Sequence, residues 1–205
     1  MKKFLKKSSI LLLALALIAV TDDYVHSTSL KHANLAELTN LAELIFVGKV
    51  IGMSDGLGEN NLPYTEFTFE ISQSIKGDLS EGSTFSYRQI GLLRPRDMGD
   101  GIALAAKFEG FPHYKEGETA MVFLYKAAAL TGLRTTVGLF QGKFVIEGGK
   151  IVNGNNNLNL FSGMKVNRAA LVDKEVGMLS QKSGPVDADT FINLVSRAVK
   201  EGLFE

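Results

Sequence analysis

Three ionisable side chains lie close together in the stretch FPHYKEGETAMVFLY: His113, Glu116 and Glu118. Residues three apart share one face of a helix, so an imidazole and a carboxylate at this spacing could hold a metal ion or act as an acid–base pair. Pro112 before the histidine and Gly117 after Glu116 instead predict a turn that leads into a strand. The chain has only three His and no Cys, whereas a zinc site takes three or four ligands, mostly His or Cys. We therefore expect a turn here, with no catalytic residue, no metal and no cofactor.

The longest stretch without a clear strand or helix pattern is GLLRPRDMGDGIALAAKFEGFPHYKEG, residues 91–117. Connections longer than about 12–15 residues are uncommon and are often functional. Charged side chains here adjoin the apolar sequence IALAAKF. We take as candidate binding residues Arg94, Arg96, Asp97, Asp100 and His113. The alternative is a flap that closes one end of a barrel and completes its core.

Oxygen ligands for Ca²⁺ occur at Asp97, at Asp100 and in the Asn-rich stretch 153–159. Neither place has the ligand spacing of an EF-hand loop. Asn and Gly also adopt left-handed turn conformations for purely local reasons. We therefore expect turns at these positions and no bound metal.

The elements that position these residues are mainly strands. In EFTFEISQSIKG, Phe67, Phe69 and Ile71 alternate with polar residues, which predicts a strand with one buried and one wet face. Further strands are predicted at LIFVGKVIGM, STFSYRQIG, TAMVFLYKA, LRTTVGLF and KFVIEGGKIV, the last a hairpin. Strands and helices do not alternate, which disfavours a parallel α/β sheet. The fold class predicted is mainly β: an antiparallel, partly open, OB-like barrel of about six to seven strands.

A helix is predicted at each end of this barrel. The first has apolar residues at three- and four-residue spacing from Leu35, with Asn34 as N-cap and Glu37 as its capping-box partner. The second begins at the cap residue Asp187 and ends at Gly202. The chain then divides into a β-barrel core at 35–153, an irregular segment at 154–186 and a C-terminal helix at 187–201.

The N-terminus has the pattern of a signal peptide. Four Lys among the first seven residues precede the apolar run ILLLALALIAV, whose 11 residues fit a leader and fall short of the ~20 needed to span a bilayer. We expect a leader at 1–27, cleaved between Ser27 and Thr28, with Thr21 as the rival site. The alternative is a retained anchor. The mature chain would be a single domain, 28–205, with no membrane span.

Charge and Cys content narrow the function further. Without residues 1–27 the chain has 18 basic and 20 acidic residues, which argues against binding to nucleic acid or anionic lipid. The absence of Cys excludes a disulfide scaffold and suits a bacterial envelope or medium. We expect an exported protein, periplasmic or extracellular.

The order of the motifs resembles a group of largely uncharacterised exported bacterial proteins. The pattern is carried by LIFVGKV at 44–50, FTFEISQSIKG at 67–77, GFPHYKEGE at 110–118, MVFLY at 121–125 and QGKFVI at 141–146. The same outline is similar to the OB-like barrel of the netrin and tissue-inhibitor-of-metalloproteinase class. This resemblance implies a barrel fold and an extracytoplasmic location. In the inhibitor class an N-terminal Cys approaches the protease zinc, and this chain has no Cys, so that chemistry does not carry over.

These observations predict an exported, non-enzymatic binding module. It would present the 91–117 loop to an envelope or extracellular protein. Two alternatives stay open: a metal-dependent hydrolase centred on His113, and a carrier that holds a small ligand in an apolar barrel interior.

Overall fold

The computed structural model of the chain describes residues 31–58 and 61–204. The predicted leader and both candidate cleavage positions, after Thr21 and after Ser27, lie outside these residues. The helices and strands, in chain order, are α1 (Leu35–Leu41), β1 (Leu44–Leu57), β2 (Pro63–Lys76), β3 (Thr84–Ile90), β4 (Arg96–Asp97), β5 (Ala103–Leu104), β6 (Thr119–Leu124), β7 (Lys143–Glu147), β8 (Lys150–Asn153), α2 (Asp173–Leu179), β9 (Val186–Asp187) and α3 (Ala188–Glu201). Short 3₁₀ helices span Leu139–Gly142 and Arg168–Ala170.

Seven strands form one antiparallel sheet in the order β3-β2-β1-β6-β7-β8-β9. In the described part of the chain the edge strands β3 and β9 do not pair with each other, so the sheet does not close into a barrel. The predicted fold class is confirmed: a mainly β, antiparallel and open sheet of about the expected strand number, with a helix near each end. Strands β4 and β5 form a separate two-stranded hairpin.

The two longest strands pair with an irregular register. β1 and β2 have 14 residues each, and their pairing shifts at three places between Ile45 and Gly52. Bulges of this kind bend a strand and increase its twist. At Gly48 a Cβ atom would lie 2.9 Å from the carbonyl oxygen of Glu70, so only glycine fits without a shift of the backbone. The close approach of β2 explains the glycine of LIFVGKV.

The middle of the sheet is buried on both faces. On β1, Ile45 and Val47 contact one core, while Phe46 and Val50 contact another. The helix-side core joins residues of the sheet to both terminal helices and includes Leu35, Leu38, Ile45, Val47, Met121, Phe123, Phe144, Ile151, Phe191, Leu194 and Val195. The aromatic core lies on the opposite face and includes Phe46, Val50, Phe67, Phe69, Ile71, Tyr87, Tyr114 and Val122.

Both terminal helices begin as the sequence predicts. The Asn34 side chain accepts a hydrogen bond from the Glu37 N–H, and the Glu37 carboxylate accepts one from the Asn34 N–H, each at 3.0 Å. At α3 the Asp187 carboxylate accepts from the Thr190 N–H at 3.0 Å, and Gly202 ends the helix in the left-handed conformation. Caps of this kind contribute about 1 kcal/mol each. None of the helices within 31–58 and 61–204 is long and apolar enough to cross a bilayer.

One predicted strand is absent. Residues 133–140 make only an isolated bridge, between Thr136 and Leu124, because Gly138 and Leu139 turn into the left-handed region with φ of 64° and 57°. The seventh strand is β9, which pairs with β8. The segment 154–186, predicted as irregular, contains α2 as well. The buried carboxylate of Glu175 on α2 pairs with Arg197 on α3 at 2.9 Å, which fixes the two helices together.

Candidate functional site

The first half of the 91–117 loop folds into a small hairpin. Arg96 and Asp97 on β4 pair with Leu104 and Ala103 on β5. The Asp97 carboxylate accepts a hydrogen bond from the Gly99 N–H at 2.9 Å, and Asp100 has a left-handed φ of 53° in the turn. Two of the predicted binding residues, Asp97 and Asp100, therefore shape the turn of the hairpin.

The base of the hairpin is tied to the sheet through Asp55 on β1. Its carboxylate accepts a hydrogen bond from the Leu93 N–H at 2.9 Å and lies 3.5 Å from the Arg96 guanidinium. The same guanidinium donates to the Asp55 carbonyl at 3.3 Å. Arg96 is thus a fastening residue of the loop, whereas Arg94 is exposed.

The second half of the loop returns across the aromatic core. Tyr114 is 6% exposed, and its ring centre lies 4.6 Å from that of Phe67 and 5.3 Å from that of Phe69. The Tyr87 hydroxyl donates to the Tyr114 hydroxyl at 2.9 Å. Burial raises the pKa of both phenols above the ordinary value, so both are neutral at physiological pH.

A lysine from β7 holds this returning segment. The Lys143 ammonium pairs with the Glu118 carboxylate at 2.5 Å, donates to the His113 carbonyl and lies 4.5 Å from the centre of the Tyr114 ring. Burial lowers the pKa of Lys143, and the hydrogen bond to Glu118 opposes that shift. Because the ammonium touches three residues of the loop and its exit, it fastens the loop to the sheet.

Between the loop and the sheet lies a cavity of about 150 Å³. Its floor is the cross-strand pair of Thr65 on β2 and Gln89 on β3. The next pair along the same face, Phe67 and Tyr87, belongs to the aromatic core. The inner face of the sheet therefore changes from aromatic to polar beneath the loop. Aromatic rings line the cavity from both sides: Phe67, Phe108, Phe111 and Tyr114.

Gln89 is the unusual residue of this cavity. It is 5% exposed, and its amide nitrogen donates a long hydrogen bond of 3.4 Å to the Pro112 carbonyl. Among the described residues its carbonyl oxygen Oε1 has no hydrogen-bond partner. A buried acceptor without a partner is uncommon and costs folding free energy. By contrast, the neighbouring Thr65 hydroxyl is satisfied, because it donates to the Gly91 carbonyl at 3.1 Å.

His113 is the one predicted binding residue that lines the cavity. Its side chain is exposed, and the group that contacts the sheet is its carbonyl. Over residues 31–58 and 61–204, no three side chains of His, Asp or Glu are grouped closely enough to hold a metal ion. Of the other four predicted residues, Arg96, Asp97 and Asp100 lie on the hairpin, and Arg94 lies just before it.

The loop exposes large apolar side chains beside charged ones. Four large side chains are exposed along it, and together we call them the apolar loop surface: Leu93 (51%), Met98 (50%), Ile102 (63%) and Phe108 (41%). Monomeric proteins rarely expose extended apolar patches without a function.

The Asn-rich stretch has a structural role. The Asn153 side chain accepts hydrogen bonds from the N–H groups of Asn155 and Asn157. Asn157 is 1% exposed, and its amide donates to the carbonyls of Ile151 and Gly184. These amides stabilise the turn in which they lie, in agreement with the local turns expected at 153–159.

Sequence reasoning missed Gln89, Thr65, Asp55 and Lys143. The alternation of STFSYRQIG puts Gln89 on the same face as Phe85 and Tyr87, so a buried glutamine was signalled by the pattern itself. Asp55 and Lys143 gave no such signal, because their partners lie far away in the sequence.

No protein-family model, curated protein or solved structure matches this chain.

Proposed function

We propose that this protein is an exported, non-enzymatic binding module that contacts a protein partner through the 91–117 loop. The observation that carries the proposal is the apolar loop surface, four large apolar side chains that are 41–63% exposed on a single loop. Exposed apolar patches of this kind mark interaction sites in soluble proteins.

The fastening of the loop supports the same function. Asp55 holds the base of the hairpin through Leu93 and Arg96, and Lys143 holds the return through Glu118. A surface that is ordered before binding loses less conformational entropy on association than a mobile one. The loop therefore presents its apolar side chains in a fixed arrangement.

Sequence features support a partner outside the cytoplasm. The leader predicted at 1–27, together with motifs that resemble those of exported bacterial proteins with an OB-like barrel, favours a partner in the bacterial envelope or outside the cell. The near-balanced charge of 28–205, with 18 basic and 20 acidic residues, favours a protein over nucleic acid.

Partner capture with loop variants tests the proposal. The tagged protein is expressed in its native host and crosslinked in the intact envelope, and the proteins bound to it are identified. The variant Met98→Ser/Ile102→Ser removes two side chains of the apolar loop surface. We expect it to reduce recovery of the specific partner at least tenfold, because apolar contacts at the centre of an interface supply most of its affinity.

The matched control is Leu130→Ser. Leu130 is 96% exposed but lies on the loop after β6, outside 91–117. This variant should recover the partner as the wild-type protein does. Equal loss of partner recovery in both variants, or no loss in the loop variant, would show that the 91–117 loop is not the binding surface.

A further inference from the structure

Three places in the sequence have an Asp or an Asn directly before a glycine: Asp55-Gly56, Asp100-Gly101 and Asn153-Gly154. Such pairs are chemically labile, because glycine has no side chain to hinder attack by its own main-chain nitrogen on the side-chain carbonyl carbon of the preceding residue. The attack needs an N–H group and a side chain that are free of hydrogen bonds, and a backbone with room to rotate. The fold decides which of the three pairs meets these conditions.

Asn153-Gly154 is the pair that would react first in an unfolded chain, because a neutral amide is attacked more readily than a carboxylate. In the folded protein Asn153 is 8% exposed, and its side chain accepts hydrogen bonds from the N–H groups of Asn155 and Asn157. Its amide also donates to the Gln141 carbonyl at 3.2 Å, and the Gly154 N–H donates to a main-chain carbonyl at 3.4 Å. These contacts hold both reacting groups, so the reaction requires local unfolding.

Asp55-Gly56 is held as part of the sheet. Both residues lie within β1 and pair with β2. The Asp55 carboxylate accepts a hydrogen bond from the Leu93 N–H at 2.9 Å and lies 3.5 Å from the Arg96 guanidinium. The main chain at this pair cannot rotate unless the strand leaves the sheet, so this pair is protected as well.

Asp100-Gly101 forms the tip of the β4–β5 hairpin, where both residues are exposed. Two hydrogen bonds of 2.9 Å close the tip, from the Met98 N–H to the Ile102 carbonyl and from the Ile102 N–H to the Gly99 carbonyl. Within 31–58 and 61–204 neither the Gly101 N–H nor the Asp100 carboxylate takes part in a hydrogen bond. A Cβ atom at Gly99 or at Gly101 would meet no atom within 4 Å, so the tip has room to rotate.

We propose that Asp100 is a site of spontaneous isoaspartate formation. The Gly101 nitrogen forms a bond with Cγ of Asp100, and the carboxyl O–H group leaves with the nitrogen's proton as water, which gives a five-membered succinimide ring. Water then opens the ring. Attack on Cγ restores aspartate, whereas attack on the main-chain carbonyl carbon breaks its bond to nitrogen and leaves the main chain running through Cβ and Cγ. One water is released and one is consumed, so no oxidant or other reagent is needed.

The product changes the turn that carries the apolar loop surface. Isoaspartate adds one carbon to the main chain between Met98 and Ile102, whose mutual hydrogen bond of 2.9 Å closes the hairpin. An added carbon at this point displaces these two side chains relative to Leu93 and Phe108. Loss of partner binding as the protein ages therefore rests on the proposed function, whereas the modification itself does not depend on it.

Ageing of the folded and the unfolded protein side by side tests the site. One sample is kept in buffer and one in guanidinium chloride, both in ¹⁸O-labelled water, until the unfolded sample has reacted at all three pairs. Peptide mass spectrometry with electron-transfer fragmentation locates isoaspartate and the heavy oxygen that ring opening introduces. In the folded sample we expect at least about tenfold more isoaspartate at residue 100 than at 55 or 153, because the other two pairs react only after local opening. The unfolded sample should react first at Asn153. A folded sample that reacts first at Asn153, or that leaves Asp100 unchanged, would overturn the proposal.

The variant Asp100→Glu is the matched control, since it keeps the charge and its longer side chain cannot form the five-membered ring. It should incorporate no heavy oxygen at residue 100 while its melting temperature stays that of the wild-type protein. Incorporation at residue 100 in this variant would show that the succinimide is not the route.

Partner capture with aged protein tests the consequence for binding. Recovery of the partner by aged wild-type protein should fall in proportion to the isoaspartate found at residue 100, and aged Asp100→Glu should recover the partner as fresh protein does. Full recovery by a wild-type sample that is mostly modified would contradict the effect on the apolar loop surface. The Met98→Ser/Ile102→Ser variant tests that surface in fresh protein, so failure of the proposed function is distinguishable from failure of the modification.

Discussion

The two faces of the central strands are closed in different ways. On the helix-side core, α1 and α3 cover Ile45 and Val47 with apolar side chains. The aromatic core includes Phe46 and Val50 on the other face, and the 91–117 loop contributes Tyr114 to it, next to the Lys143–Glu118 ion pair and in a hydrogen bond with Tyr87. The same strand, β1, supplies residues to both.

The difference follows from the backbone of the covering segment. A helix satisfies its own N–H and C=O groups, so it needs only an apolar stripe to cover a sheet. A loop does not, so polar groups from the sheet must reach it, as Lys143 reaches the His113 carbonyl. On that side the sheet also carries the polar pair Thr65 and Gln89, with a cavity above it. The proposed binding surface therefore belongs to the face that the loop covers.

The largest effect should come from the helix-side core. Phe191 on α3 is fully buried, with its ring centre 5.0 Å from that of Phe144. Phe191→Ala should lower the free energy of unfolding by about 3–5 kcal/mol, because it leaves a cavity in a packed core. Urea unfolding followed by circular dichroism measures this. Phe108→Ala, at a half-exposed ring of the loop, should lower the free energy of unfolding by about 1 kcal/mol or less. Equal losses in the two variants would contradict the difference between the two faces of the sheet.

The next largest effect concerns the ion pair on the aromatic side. Lys143→Met leaves the Glu118 carboxylate buried without its partner and should cost about 3 kcal/mol. The double variant Lys143→Met/Glu118→Gln removes the stranded charge and should recover at least half of that loss. Urea unfolding of the three proteins gives both values. A double variant as unstable as the single one would show that the ion pair does not fasten the loop.

Alkaline pH should lower the free energy of unfolding through the two buried tyrosines of the aromatic core. The folded-state pKa values of Tyr87 and Tyr114 are raised by burial, so above the unfolded value of about 10 only the unfolded chain loses these protons. The stability that they contribute is complete below pH 10 and is lost above it, by about 1.4 kcal/mol per pH unit for each tyrosine. In urea unfolding between pH 8 and 12, Tyr87→Phe should show a shallower decline than wild type. Phe191→Ala should keep the wild-type dependence of the unfolding free energy on pH. If Tyr87→Phe showed that same dependence, Tyr87 would not be a source of the alkaline loss of stability.

The smallest effect on stability is expected at the apolar loop surface. Met98→Ser/Ile102→Ser removes exposed side chains and should change the free energy of unfolding by about 0.5 kcal/mol or less, while it reduces partner recovery at least tenfold. Thermal unfolding and the capture experiment are run on the same protein sample. A large loss of stability would show that these side chains belong to a core and not to a binding surface.

Most of the fold could be predicted from local patterns. Alternation at Phe67, Phe69 and Ile71 gave β2, and the capping residues Asn34 and Asp187 gave the starts of α1 and α3. The strand predicted at 133–140 failed because the left-handed backbone of Leu139 is set by tertiary contacts and is not favoured by leucine itself. The pairing of β8 with β9 joins segments more than 30 residues apart, and no local pattern specifies such a partner.

The candidate site was predictable only in outline. The length of the 91–117 loop indicated a functional segment, and His113 does line its cavity. The roles of Arg96 and Asp97 could not be predicted, because they depend on Asp55 across the sheet and on the Gly99 N–H in the hairpin turn. Charged residues in the loop suggested polar recognition, and Arg94 is exposed, but the apolar side chains of Met98 and Ile102 are exposed beside it.

Hydrogen–deuterium exchange of the complex tests the central claim most directly. The captured partner is added to the purified protein, and exchange is compared with that of the free protein, peptide by peptide. We predict slower exchange in peptides that cover 92–110 and no change in those that cover α3. Protection confined to α3 or to residues 126–134, with 92–110 unchanged, would contradict the assignment of binding to the loop-covered face.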